Sequence, residues 1–395
     1  MAPTGDSEGG EVLPRGDWSA VTIVVPAVDA VVARKTVEDL LARPYPGEFE
    51  IVLAAPRPAD QEMPPGQGGT GEQDGASEPD DAGDPGDSGG QSGVGAPADG
   101  SGPAVAADPL EDIVALDPRI SLIHIKDTSE GALVNAAAFA GRYPVLSRPW
   151  PGSGDWVELL KHATSAMSIT GADVVGGAAF AVGYGSAERA ISRAMNSRLG
   201  VGPRPTRVGA AKGPVDSVRM VAIRRDAFER AGGLDQSFAG AGDWELQHRV
   251  RRSGGMVWLD PSLSLRRRAP ASIKDLVRVF FHTGAMRRRI IAAHTDSSTW
   301  RYVVPPVLVG ALVLTLTGGL IGGAFGLKWM WLLTLTPLVY ALAVLIAVMI
   351  AGSGLGVAGR VRMWWSVMAI HLSWGAGFLF GDRRRGRNDP SRTAR

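Results

Sequence analysis

Two uncharged apolar runs, Val303 to Gly326 and Trp329 to Ala351, constrain this chain most, because each supplies the roughly 20 residues that a bilayer core demands. Met363 to Phe380 is a third, shorter candidate, with Trp364, Trp365 and Trp374 suited to an interface. His371 falls inside it, where an ionisable group is either a helix-packing hydrogen bond or a functional residue. Just upstream, Ser272 to Ile291 reads as a basic amphipathic helix. Ile273, Leu276, Val277, Phe280 and Phe281 share one face, and Lys274, Arg278, His282 and Arg289 the other. Such a helix lies in an anionic headgroup plane or packs its apolar face on a globular domain. Arg287 to Arg289 and the tail arginines Arg383, Arg384, Arg385 and Arg387 both belong on the cytosolic side. Three full spans would separate them, so one run must be interfacial or re-entrant, or the charge rule fails at the tail. Gly318-Gly319 and Gly322-Gly323 mark the first run as a place to bend.

The first 270 residues have a different character. Val21 to Val25 is a short apolar run closed by Pro26, as in a buried parallel strand; a helix follows over about 31–41, then a second strand, Glu50 to Ala54. This strand, helix, strand opening is of the nucleotide-binding kind. From about 61 to 109 the chain is rich in Gly, Pro, Ser, Asp and Ala and has no Lys or Arg. Such a segment cannot bury enough apolar surface to order itself, so it reads as a disordered insertion reaching about 40 Å. The fold resumes with a strand at Ile120 to Ile125, a helix at Glu130 to Phe139, an apolar strand with a Gly-Gly turn at Ala172 to Val182, and a helix at Ala187 to Arg198. The 41 Lys plus Arg balance 40 Asp plus Glu, which gives no argument for a nucleic-acid partner. No cysteine is present, which fits a reducing compartment, and the polar N-terminus has no signal-peptide pattern, so the first domain is expected in the cytosol.

Lys212 to Pro261 looks most built for chemistry. A strand is expected over 215–223, a short helix over 226–231, a loop of small residues Ala239 to Gly242, a helix from Asp243 to Ser253 stopped by Gly254-Gly255, and a strand over 256–259. Exposed N–H groups and the helix dipole favour a negative carboxylate at position 243. Such a group either caps the helix or acts as a general base toward an incoming hydroxyl. Arg204, Arg207 and Lys212 either attract a phosphate or are simply solvated.

The blocks GPVDSV, AIRRDAFERAGGLDQSF, GDWELQHRVRRSGG and VWLDPSLSL resemble the acceptor-side half of family 2 glycosyltransferases. The likeness is to the membrane-bound group of succinoglycan-type exopolysaccharide synthesis. It covers about 18–60 and 113–306 and extends weakly to the WGAGFL block at 374–379. In that family a Glu-Asp pair precedes the Trp-Glu-Leu helix and its Asp is the base. Here Gly242 stands at the Glu and Asp243 matches the Asp. The resemblance implies an α/β, GT-A-like (Rossmann-like), mostly parallel sheet domain followed by C-terminal transmembrane helices. The expected division is a disordered 1–17, the catalytic domain 18–270, an interfacial helix 271–293, a transmembrane region 302–381 and a basic tail 382–395.

By resemblance the donor is held by Pro26 and Ala27 at the end of the first strand, by Asp60, by Asn135 and by Arg148. Trp244 and Gly213 would meet the acceptor, unless Trp244 is simply a core aromatic, and Arg287 and Arg288 a phosphate. The partners implied are a nucleotide sugar, a lipid-linked or glycan acceptor and the cell membrane, crossed more than once. Two departures stand out. Ala54-Ala55-Pro56 replaces the aspartates that end the second strand, and Ser147-Arg148-Pro149 replaces the Asp-x-Asp that holds Mg or Mn. Neither a hydroxyl nor a proline substitutes for a carboxylate on a hard cation, so no metal ligand is assigned. Three outcomes follow: Arg148 neutralises the diphosphate, Asp155 or Asp173 supplies a metal, or the domain is a silent scaffold.

Overall fold

A computed structural model describes residues 18–43, 45–57, 110–150, 155–202, 211–238, 242–263, 265–295 and 300–381. The insertion, both termini, Asp60, Arg204, Arg207 and the loop 239–241 lie outside them.

Strands β1 (Val21–Pro26) and β2 (Phe49–Pro56) read as continuous apolar runs because both faces of the sheet are covered. Ile23, Val25, Ile51 and Leu53 point to one core, while Val24, Val52 and Ala54 point to the other. Helix α1 (Ala30–Leu41) is capped by Asp29 and α3 (Glu130–Ala140) by Ser129; a single turn, α2 (Glu111–Val114), comes between them. Strand β3 (Ile120–Ile125) lies beside β2, and β4 (Val145–Ser147) beside β1.

Helix α4 (Trp156–Thr170) and strand β5 (Val174–Gly177) follow. The expected 172–182 strand is split: after β5 the chain leaves the main sheet, and β6 (Ala179–Val182) pairs instead with β10 (Leu265–Arg268). Between these lie α5 (Ser186–Asn196), α6 (Arg198–Val201), β7 (Gly213–Pro214), β8 (Arg219–Arg224), α7 (Arg225–Arg230), α8 (Gly242–Arg252) and β9 (Val257–Leu259). The main sheet has eight strands in the order β3-β2-β1-β4-β8-β5-β9-β7. Its β1, β2, β3 and β4 ladders are parallel, and β8 runs antiparallel between β4 and β5. Strand order reverses direction at β1/β4, the position where open α/β sheets take their ligands.

The C-terminal part is α9 (Ile273–Ala293), α10 (Trp300–Ala324), α11 (Thr336–Ala351) and α12 (Val357–Phe380). Two segments, Tyr302–Ala324 and Lys328–Ala351, are long and apolar enough to cross a membrane. Only 22% and 6% of their most apolar windows are buried, unlike the core helices of a soluble protein. The second is not one helix: Lys328–Leu335 is a 3-10 segment leading into α11. The first stays continuous, and its glycines accept that 3-10 segment rather than bend it.

Helix α9 does not lie alone in an interface. Its Leu276 and Phe280 join a core with Ile191 and Met195 of α5, Val348 of α11 and Met363, Val367, Ile370 and Trp374 of α12. Its backbone meets that of α12 along a seam of glycines. A Cβ on Gly284 would fall 2.1 Å from the Trp374 carbonyl oxygen, and one on Gly377 2.0 Å from that of Phe281. Gly284→Val is therefore expected to cost about 1–3 kcal/mol by forcing the helices apart, read as a lowered thermal midpoint of the solubilised protein. An unchanged midpoint would mean that the seam is loose.

Candidate functional site

The Gly232-Gly233 break before α8 has φ of 77° and 72°, which side chains other than glycine rarely adopt. Two long-range clamps hold it. Asn135 donates Nδ2 to the Leu234 carbonyl at 2.8 Å and accepts the Leu234 N–H at 2.7 Å. Arg249 donates to the Ala231 carbonyl and, at 2.7 Å, to that of Gly233. Arg249 is itself held by the buried Glu245 at 2.6 Å, and Glu245 also meets Nε2 of His294 at 2.9 Å. Together these fix where α8 begins, and so where Asp243 points.

Helix α8 starts at Gly242, which puts Asp243 inside its first turn rather than at its cap. Its side chain is 17% exposed, and both carboxylate oxygens accept from Nη2 of Arg148 at 3.2 Å. Arg148 follows β4 directly, at the carboxyl end of the strand beside β1, and also reaches Glu130 at 3.3 Å. Pro26 and the buried Ala27 end β1 at the same edge. The cavity that Asp243 shares with Ser147 and Arg148 has a volume of only about 20 Å³. In this arrangement Arg148 occupies both oxygens of the carboxylate.

Several expected roles fall elsewhere. Asn135 spends its amide on Leu234 and is a positioning residue, not a free donor ligand. Trp244 is stacked on His248, with ring centroids 5.7 Å apart, and Cζ of Arg287 lies 3.8 Å over its ring, so its π surface is engaged within the protein. Arg287 is 7% exposed and also lies 3.5 Å over Tyr302, which buries it away from any phosphate. Arg288 donates to the Phe378 and Leu379 carbonyls, at 3.3 Å and 2.7 Å, and caps the end of α12. Lys212 pairs with Asp260 at 3.1 Å. Burial raises the Asp260 carboxyl, but hydrogen bonds from Ser262 and the Lys212 charge outweigh it and hold it below the usual range. Gly213 sits in β7, paired with Leu259 at the sheet edge.

Among the described residues a divalent cation finds no ligand set. Ser147, where the first metal acid would stand, is 2% exposed; it donates to the Val221 carbonyl at 2.9 Å and accepts from Trp156 at 3.1 Å. Asp155 caps α4 and pairs with Arg43, and Asp173 accepts the Met256 N–H at 2.8 Å. Among the described residues no group of three or more His, Cys, Asp or Glu is placed to hold a metal ion.

Sequence reasoning missed Trp150 and Arg219. The guanidinium carbons of Arg148 and Arg219 both lie over the Trp150 ring, at 4.0 Å and 3.6 Å. A tryptophan between two prolines, two residues past Arg148, was the available signal for the first; nothing local marks Arg219.

No family model matches the chain. Succinoglycan biosynthesis protein ExoA of Rhizobium meliloti (strain 1021) is 27% identical over 306 residues, covering 73% of this chain and 86% of that protein. The solved structure of S. aureus TarS 1-349 has a TM-score of 0.37 at 11% identity, over 91% of this chain and 90% of that one, a likeness too distant to carry an argument. The mostly parallel sheet and the blocks around Asp243 thus belong to a chain that is similar, over 73% of its length, to a protein of succinoglycan biosynthesis.

Proposed function

We propose that the protein moves a sugar, with inversion, from a nucleotide sugar to a lipid-linked or growing glycan acceptor at the cytosolic face of the membrane. Asp243 is the base. It takes the proton of the acceptor hydroxyl as that oxygen attacks the anomeric carbon, and the nucleoside diphosphate leaves from the opposite face. The observation that carries this is the placing of Asp243 and Arg148 together at the carboxyl edge of the sheet, where its strand order reverses.

An apolar pocket of about 300 Å³ supports a lipid-bearing acceptor. Phe280, Tyr302, Leu308, Ile370 and Trp374 line it, and Arg198 and His371 supply its ionisable groups. One wall belongs to α10, a candidate span, and between the pocket's Tyr302 and Trp244, the residue after Asp243, the Arg287 guanidinium is stacked on both rings.

The test is incubation of the purified full chain with a panel of radiolabelled nucleotide sugars and membrane lipid extract. Label is expected to move from one donor into the organic phase or into polymer. The hold of Arg148 Nη2 on both Asp243 oxygens favours a second reading, a silent scaffold, and absence of transfer from every donor would select it.

A further inference from the structure

We propose that the donor diphosphate is held without a metal, by Arg148 and Arg219 gathered on Trp150, in the place where the family uses a divalent cation. This rests on the nucleotide-sugar reading above. The position where a metal acid would stand is a buried, fully bonded serine, while the next residue is a guanidinium at the strand-order switch. Strand β8 runs antiparallel beside β4, so its first residue, Arg219, lies alongside the segment that follows β4. Trp150 is fixed there by its indole N–H, which donates to the Met220 carbonyl at 3.3 Å.

Arg219 makes no ion pair among the described residues, and Asp243 is the charge that supports it most. Burial, opposed by Asp243 and aided by Arg267 and Arg148, pushes its guanidinium down to about 10, so it stays charged at neutral pH at a cost that a bound anion would offset. Arg148, Arg219 and Arg267 thus face Asp243 and Glu130, an excess of one positive charge where a diphosphate is expected. Two guanidiniums can each take phosphate oxygens in fork geometry, which a single lysine cannot. Seating the diphosphate also draws Arg148 off Asp243. Donor binding therefore uncovers the base, and the donor enters before the acceptor is deprotonated.

The experiment is calorimetric titration of the detergent-solubilised full chain with UDP, GDP, ADP, dTDP and inorganic pyrophosphate, in excess EDTA and separately with Mn. At least one nucleoside diphosphate is expected to bind equally well in both. Arg148→Gln and Arg219→Gln should each weaken it by about 10–100-fold in EDTA, the worth of a charged hydrogen bond. Arg219→Lys should retain part of the affinity. Binding that needs Mn, or that is indifferent to both glutamine variants, overturns the proposal. Equal loss in Arg219→Gln and Arg219→Lys with a lowered melting midpoint assigns Arg219 to the fold and overturns it as well. If no diphosphate binds in either buffer, the nucleotide-sugar reading itself falls.

Discussion

Asp243→Asn is expected to lower turnover by about 10²–10⁴-fold, the range for losing a general base, while donor affinity holds or rises. The amide keeps the shape of the side chain but cannot take a proton from the acceptor hydroxyl. It also ceases to compete for Arg148, whose Nη2 is now shared by both Asp243 oxygens. The two readouts therefore move in opposite senses, which misfolding would not produce. Initial rates and donor binding measured on one preparation check this. A turnover within about tenfold of the parent would remove Asp243 from the chemistry.

The second large effect is structural. Glu245→Gln is expected to cost about 3–5 kcal/mol, the penalty for breaking a buried ion pair on one side only. Glu245 is 1% exposed and joins Arg249 to His294, so it ties α8 both to the glycine break and to the end of α9. Loss of its charge leaves the Arg249 guanidinium with neutral acceptors alone, the glutamine amide oxygen and the Ala231 and Gly233 carbonyls. The thermal midpoint of the solubilised chain reads the effect, and a drop worth less than about 1 kcal/mol would show that neutral acceptors alone hold Arg249.

The strands of the first half were legible because a strand covered on both faces leaves an unbroken apolar word in the sequence, as in Val21 to Val25 and Ile120 to Ile125. The two apolar runs were legible for a similar reason, since length and hydropathy alone define them. What covers a helical face is not written locally. The apolar stripe of α9 serves an interface or a neighbour equally well, and only the glycines of α12, some ninety residues later, reveal the neighbour. The surroundings of the arginines are equally unwritten. Arg287 and Arg288 look available in sequence, yet the rings of Trp244 and Tyr302 and the last carbonyls of α12 take them up. Asp243 is singled out by the blocks around it, whereas its partner in the structure, Arg148, is 95 residues away.

The shared core of α5, α9, α11 and α12, closed by the glycine seam, joins the C-terminal helices to α5 and, through Ala181, to the small β6-β10 sheet. Arg287 on Trp244 and His294 on Glu245 tie α9 in turn to the helix that carries Asp243, so on the proposed reading, with α10 and α11 in lipid, that carboxylate keeps a set altitude above the membrane. A transferase so built would select its acceptor hydroxyl by height, as a ruler does.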